Sequence, residues 1–346
     1  MTITLKDVLL RTHKNLQILK RREAGQGLTP DLKLLNEIDH HQKAMQLIRS
    51  LLAAELTTAT LEGLKNELRP LLIASNIEQI DLETVRPILP LLPFEPETLE
   101  IPAGPFLMGS EDGEAIESPQ HRVDLPAYRI AKYPVTNAQY AEFIRQEKEQ
   151  ETPKKVGWFL REPPTDKLDH PVVGVSWYDA QAYCRWLSRQ TNRTRIYRLP
   201  TEAEWEKAAS WVEAQQPLKR KYPWGDTFEA ERCNSAQTGL DDTTPVKRYS
   251  PDGDSFWGCA DMAGNVQEWT STLWGSDLAV NSFPYPYRAQ DGREDLEADQ
   301  RLHRVFRVYR GGSFRDEPAR LRCTVRGQSS PESKLRWRGF RVVLEI

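Results

Sequence analysis

The chain has 346 residues, 39% of them hydrophobic, with ten tryptophans and a formal net charge of −3. That is enough apolar material for one large core or two smaller ones, and the near-neutral charge gives no global footprint for nucleic acid. No run approaches the eighteen or so consecutive apolar residues of a membrane span, and the start MTITLKDVLLRTHKNLQ has no apolar stretch of a secretory signal, so the expected location is the cytoplasm.

Residues 1–93 contain no tryptophan, tyrosine or phenylalanine, and every aromatic lies beyond them. Such a shift marks a boundary. Leu5, Val8, Leu9, Leu16 and Leu19 fall at helical spacing, and Gly25-Gln26-Gly27 ends that helix. Thr29-Pro30 supplies an N-cap and first-turn proline for a second helix carrying Leu32, Leu35, Ile38, Met45, Ile48, Leu51 and Leu52. Two shorter helices are expected over 60–74 and 82–92. LPLLPFEP at 89–96 holds three prolines, which disfavour continued helix. The expected division is a helical domain over 1–93, a proline-rich linker over 94–98 and a second domain over 99–346.

In the second domain, Gly104 and Gly109 suit tight reversals between alternating apolar residues. Thr136 caps a helix whose Tyr140, Phe143 and Ile144 face the core. Ser176 precedes a helix running to about Ser188, with Trp177, Ala180, Tyr183, Cys184 and Leu187 on one face. Thr201 with Glu204 is a capping box. Trp177, Trp205, Trp224 and Trp269 are expected to build the core. Four cysteines, Cys184, Cys233, Cys259 and Cys323, are scattered with no C-x-x-C pair, which argues against zinc and thioredoxin-type chemistry.

The ordered set Ile101–Ser110, Tyr133–Phe143, His170–Ala180, Arg198–Glu206, Tyr222–Asp226, Asp261–Trp269, Arg310–Ser313 and Gly339–Val343 resembles the formylglycine-generating enzyme, or sulfatase-modifying factor, family. The resemblance implies an α+β fold, an irregular variant of the C-type lectin fold, preceded here by a small all-α domain. It also implies a copper centre on two cysteines just after Arg-Gly-Gly-Ser. Residues 314–322 contain no cysteine, so the expectation is that copper and the oxidase chemistry are absent. A metal-dependent oxidoreductase is kept as the alternative. The first pair of helices resembles effector-associated adaptor modules, which implies a homotypic or effector partner; a helical cap on the main domain is the other reading.

Two structural calcium sites follow from the same resemblance. One would use the side chains of Asp261 and Glu268 with the Gly264 and Val266 carbonyls; the other would sit near Asn234 and the Ser235 carbonyl, with Thr238 and the Leu240 carbonyl. Calcium favours six to eight hard oxygens of this mixed kind. A loop held by hydrogen bonds from backbone N–H groups to Asp261 and Glu268 is the alternative.

The end of the chain also resembles variable proteins of diversity-generating retroelements, which display changeable residues on a fixed frame of this fold. Arg310, Gly311, Gly312, Ser313, Phe314, Pro318, Leu321, Arg322, Arg326, Pro331, Gly339, Phe340 and Arg341 match the frame. Between them lie the candidate ligand-binding residues Arg315, Asp316, Glu317, Arg320, Val325, Gly327, Ser329, Ser330, Ser333, Leu335, Arg336, Trp337 and Arg338. Leu335-Arg336-Trp337-Arg338 sets an aromatic among arginines, the residue types enriched at binding hot spots. The expected function is non-catalytic recognition of a protein ligand, with nucleic acid disfavoured by the overall charge.

Overall fold

The computed structural model describes residues 16, 19, 20, 23, 34–43, 91–191, 193–213, 218–302 and 304–345. The chain divides into two compact units, Met1–Leu92 and Pro93–Ile346. In the first, residues 34–43 are helical. Leu34, Ile38 and His41 are buried on one face of that helix, and Leu34 and Ile38 pack with Leu16 and Leu19. The stripe differs from the expected one by a residue, since Leu35 is 37% exposed and Leu34 points inward. The expected helix over 60–74, most of that over 82–92, and Leu5, Val8, Leu9, Leu32, Met45, Ile48, Leu51 and Leu52 lie outside the described residues.

The second unit is α+β. Its three longer helices, Asn137–Gln146, Trp177–Gln190 and Glu202–Ser210, each start at a hydroxyl: Thr136, Ser176 and Thr201. Each hydroxyl accepts the N–H three residues on, and the side chains of Gln139, Asp179 and Glu204 return the bond to the cap N–H. Such caps contribute about 1 kcal/mol each.

One sheet orders its strands Thr98–Ile101, Tyr128–Ala131, Val343–Leu344 and Tyr197–Arg198, all antiparallel, so Val343–Leu344 is an inner strand. The second orders Gly327–Ser329, Phe306–Arg310, Gln267–Gly275 and Arg338–Phe340. Its last pair is parallel, with Arg338 opposite Gln267 and Phe340 opposite Trp269. Two distant sequence segments, 261–269 and 307–344, therefore become neighbours in one sheet.

Aromatics fill the interior. Tyr140, Phe143, Tyr183, Trp186 and Phe340 share one cluster, and Trp205 sits in another with Ile101, Tyr128 and Met262. Trp177, Trp205 and Trp269 are buried as expected, but Trp224 is only partly so and stacks on Tyr222 at 5.7 Å. The helix Glu202–Ser210 departs most from sequence reasoning. All nine of its residues are buried, including Glu202, Glu204, Glu206 and Lys207. No amphipathic pattern announces a helix that is charged and wholly internal.

Candidate functional site

Buried carboxylates on that helix require buried cations, and the C-terminal frame supplies them. Arg326 grips Glu202 bidentately at 2.9 and 2.7 Å. Arg310 pairs with Glu206, which also takes Lys219 at 2.7 Å and the Gly109 N–H at 2.8 Å. Arg341 holds both oxygens of Glu268 at 2.6 and 2.7 Å and donates to the Ala131, Lys132 and Ala260 carbonyls. These arginines are anchors of the fold. Burial alone would push the Glu206 carboxyl up, but Lys219 and Arg310 hold it below the usual carboxylate range.

The outward residues of the same segment are arranged differently. Arg315 is exposed and its guanidinium lies 4.5 Å from the centre of the Trp337 ring. Arg336 forks onto Asp241 at 2.7 and 2.9 Å and sits over Phe314. Leu335 is half-buried, and its carbonyl accepts the Gly174 N–H at 2.9 Å. Glu317 is exposed and precedes a turn over Pro318–Arg320, and Arg320 pairs with Glu114 at 2.8 Å. Asp316 accepts from Ser313 at 2.8 Å and Gln267 at 3.4 Å.

Three expected surface residues are internal. Val325 and Arg338 are buried, and a Cβ on Gly327 would lie 2.2 Å from the Tyr309 ring. Arg338 is clamped between Tyr309 and Trp269 at 4.0 and 4.6 Å, and burial lowers it to about 10. Asp316, Arg320, Val325 and Gly327 do converge, with Gln267 and Tyr309, on a cavity of about 10 Å³, the size of one water. Ser329 lies opposite Arg307 in the sheet, and Ser330 with Ser333 closes the following turn. Exposed Asp241 and Glu114 pair with these residues and buried Gln267 backs them, yet each meets its partner across 49 or more residues of sequence, so no local pattern marks them.

The two loops expected to hold calcium interlock. The Asn265 N–H donates to the Asn234 carbonyl at 2.8 Å, and Gly264 is required there because a Cβ would come within 2.2 Å of that oxygen. Asp261 and Asn265 adopt left-handed φ of 56° and 55°, which Asp and Asn tolerate best. The side-chain oxygens and the Ser235 carbonyl are already engaged. Both oxygens of Glu268 face Arg341, and one also accepts from Trp205 at 2.8 Å. Asn234 Oδ1 accepts from Thr238, as does the Ser235 carbonyl. Asp261 accepts from Asn265 at 3.0 Å, and burial pushes its carboxyl up to about 7. Val266 is fully buried. Among the described residues, no group of three or more His, Cys, Asp or Glu side chains is placed to hold an ion. Calcium would therefore compete with Arg341, Trp205 and Asn265 for the carboxylate oxygens of the first loop.

Cys259 and Cys323 share a hydrophobic cluster with Trp205 and Met262, and both are fully buried. Burial pushes their thiols up to about 11 and about 12. A thiol in that state is a poor nucleophile and a poor metal ligand.

A family model for the sulfatase-modifying factor enzyme 1-like domain matches residues 92–346. A serine/threonine-protein kinase Pkn1 from Chlamydia trachomatis is 32% identical over 342 residues, covering 90% of this chain and 50% of that protein. The inactive C-alpha-formylglycine-generating enzyme 2 of Mus musculus is 32% identical over 239 residues, covering 54% of this chain and 73% of that protein. A formylglycine-generating enzyme from Thermomonospora curvata is 30% identical over 298 residues, covering 70% and 91%. The chain spans about half the length of the kinase relatives it matches. PvdO from Pseudomonas aeruginosa superposes with a TM-score of 0.56 at 24% identity, covering 74% of this chain and 96% of that one. Treponema denticola variable protein 1 gives 0.53 at 23% identity, covering 72% and 95%. At these identities the two structures bear on the fold alone.

Proposed function

The chain belongs to the sulfatase-modifying factor enzyme 1-like family, and on that premise we propose that it is a non-catalytic recognition member, holding a protein ligand on the C-terminal loops. The observation that carries this reading is the division of the arginines. Arg310, Arg326, Arg338 and Arg341 are buried and fix the frame. Arg315 and Arg336 lie at the surface around Trp337, which is itself half-buried. A partly buried aromatic flanked by guanidiniums on a rigid frame is the composition of a binding hot spot.

The oxidase alternative needs two accessible thiolates for a soft metal. Residues 314–322 have none, and Cys259 and Cys323 are sealed in the core. A relative named as a formylglycine-generating enzyme and one named as inactive match at similar identity, so identity does not choose between the readings, and the buried cysteines support recognition. Exchange of outward residues on a fixed frame, as in a retroelement variable protein, fits the same division. The helical unit would join recognition to a homotypic or effector partner, in the cytoplasm. Among the described residues no helix is long and apolar enough to cross a membrane. Calcium at these loops would compete with Arg341 for Glu268.

The test is capture of proteins from a cell extract on the immobilised chain. Trp337→Ala with Arg336→Ala should lose the captured partner while the melting curve stays close to the parent's. A folded double variant that captures the same partner equally well refutes the surface.

A further inference from the structure

A cleft of about 440 Å³ opens elsewhere on the second unit, between Gly109–Asp112, residues 219–226 and Arg322–Thr324. That volume lies within the roughly 300–1,000 Å³ typical of small-molecule sites. Neither Arg315 nor Trp337 lines it. Four cations do, and they fall into two kinds. Lys219 and Arg322 are held from behind: Lys219 by Glu206 at 2.7 Å, and Arg322 by Glu117 at 2.7 and 2.8 Å. Glu206 is itself shared with Arg310, so it does not fully cancel Lys219.

Arg220 and Lys221 have no carboxylate within ion-pair reach among the described residues. Arg220 spends one N–H on the Pro223 carbonyl at 3.0 Å, and Lys221 is exposed. A fork-shaped guanidinium beside a mobile ammonium is a pairing suited to phosphoryl oxygens. The rim also carries exposed Asp112 and Asp226, and the Asp226 carboxylate is fixed by the Lys221 N–H at 3.0 Å. Carboxylates repel a phosphate but accept bonds from hydroxyl groups. A bare anion would therefore use only part of this lining.

We propose that the cleft binds a small phosphate ester whose remainder carries hydroxyl groups, with Arg220 and Lys221 on the phosphoryl group and Asp112 and Asp226 on the hydroxyls. The proposal does not depend on the recognition surface around Trp337, and each can fail without the other.

Calorimetric titration of the full chain at low ionic strength, with ribose 5-phosphate, inorganic phosphate and ribose as probes, tests it. Ribose 5-phosphate should bind more tightly than phosphate, and ribose alone should give no heat. Arg220→Ala and Lys221→Ala should each weaken both phosphate probes by about tenfold, and Lys221→Arg should retain binding. Asp112→Ala should narrow the preference for ribose 5-phosphate over phosphate, because it removes a hydroxyl acceptor and a repulsive charge together. Absence of binding by either phosphate probe at about 10 mM, or binding unchanged in an Arg220→Ala/Lys221→Ala variant that melts like the parent, overturns the site. Equal affinity for the two phosphates overturns the role given to the acids.

Discussion

Replacing Glu206 by glutamine removes one negative charge from a buried group shared by two cations. The Glu206 side chain has no exposed surface and faces both Arg310 and Lys219, while the Gly109 N–H also points at it. Glutamine keeps an acceptor for one of these donors and turns an NH₂ group toward the others. Breaking a buried pair by neutralising one partner costs about 3–5 kcal/mol. For a domain of this size each kcal/mol shifts the melting midpoint by about 2–4 °C, so the midpoint should fall by roughly 6–20 °C. The effect should also depend on pH. The folded Glu206 carboxyl is held below its reference value of 4.5 by Lys219 and Arg310 against the opposing effect of burial. Its contribution is therefore full above that value and is lost as pH falls through the lower folded one. Urea unfolding followed by tryptophan fluorescence should give a wide gap between parent and Glu206→Gln near neutral pH that narrows in acid. A variant within about 1 kcal/mol of the parent at neutral pH would refute the claim that these ion pairs hold the frame.

Asp261→Asn should act in the opposite direction. Burial raises the Asp261 carboxyl from 3.8 to about 7, so the folded state bears the cost of a buried carboxylate above pH 7 and sheds it as pH falls toward 4. The variant should gain about 2–4 kcal/mol at mildly alkaline pH and nothing in acid; destabilisation instead, with a parent melting curve that a calcium chelator lowers, would show an ion at this loop. Gly327→Ala should destabilise by about 1–3 kcal/mol through overpacking, because the new Cβ meets the Tyr309 ring; unchanged stability would return Gly327 to the ligand surface. Cys184, Cys233, Cys259 and Cys323 are all buried with raised thiols, so a thiol reagent should find them only after unfolding. Fast reaction of the native protein would contradict the core described above.

The helix starts were legible because their determinants are local. Thr136, Ser176 and Thr201 each cap from one residue away, and the reciprocal bonds come from three residues on. The aromatic shift near residue 93 likewise needs nothing but composition. What the sequence does not display is pairing at long range. Arg341 meets Glu268 across 73 residues, Arg310 meets Glu206 across 104, and Arg326 meets Glu202 across 124. An arginine between frame residues reads the same whether it faces solvent, as Arg315 does, or is stacked inside, as Arg338 is. For the same reason nothing in the local sequence around Glu268 shows that Arg341 stands beside it. Motif resemblance located the segment, and only the sheet register separated its inward residues from its outward ones.

Copper reconstitution separates recognition from redox chemistry. The purified chain would be titrated with Cu(I) and then assayed for oxygen-dependent oxidation of a cysteine-containing peptide. No stoichiometric uptake and no turnover are expected, since both thiols near the frame are buried, with burial raising them. One copper per chain with oxygen consumption would contradict that expectation, and would make Cys259 and Cys323 the ligands of a centre that the folded core opens to form.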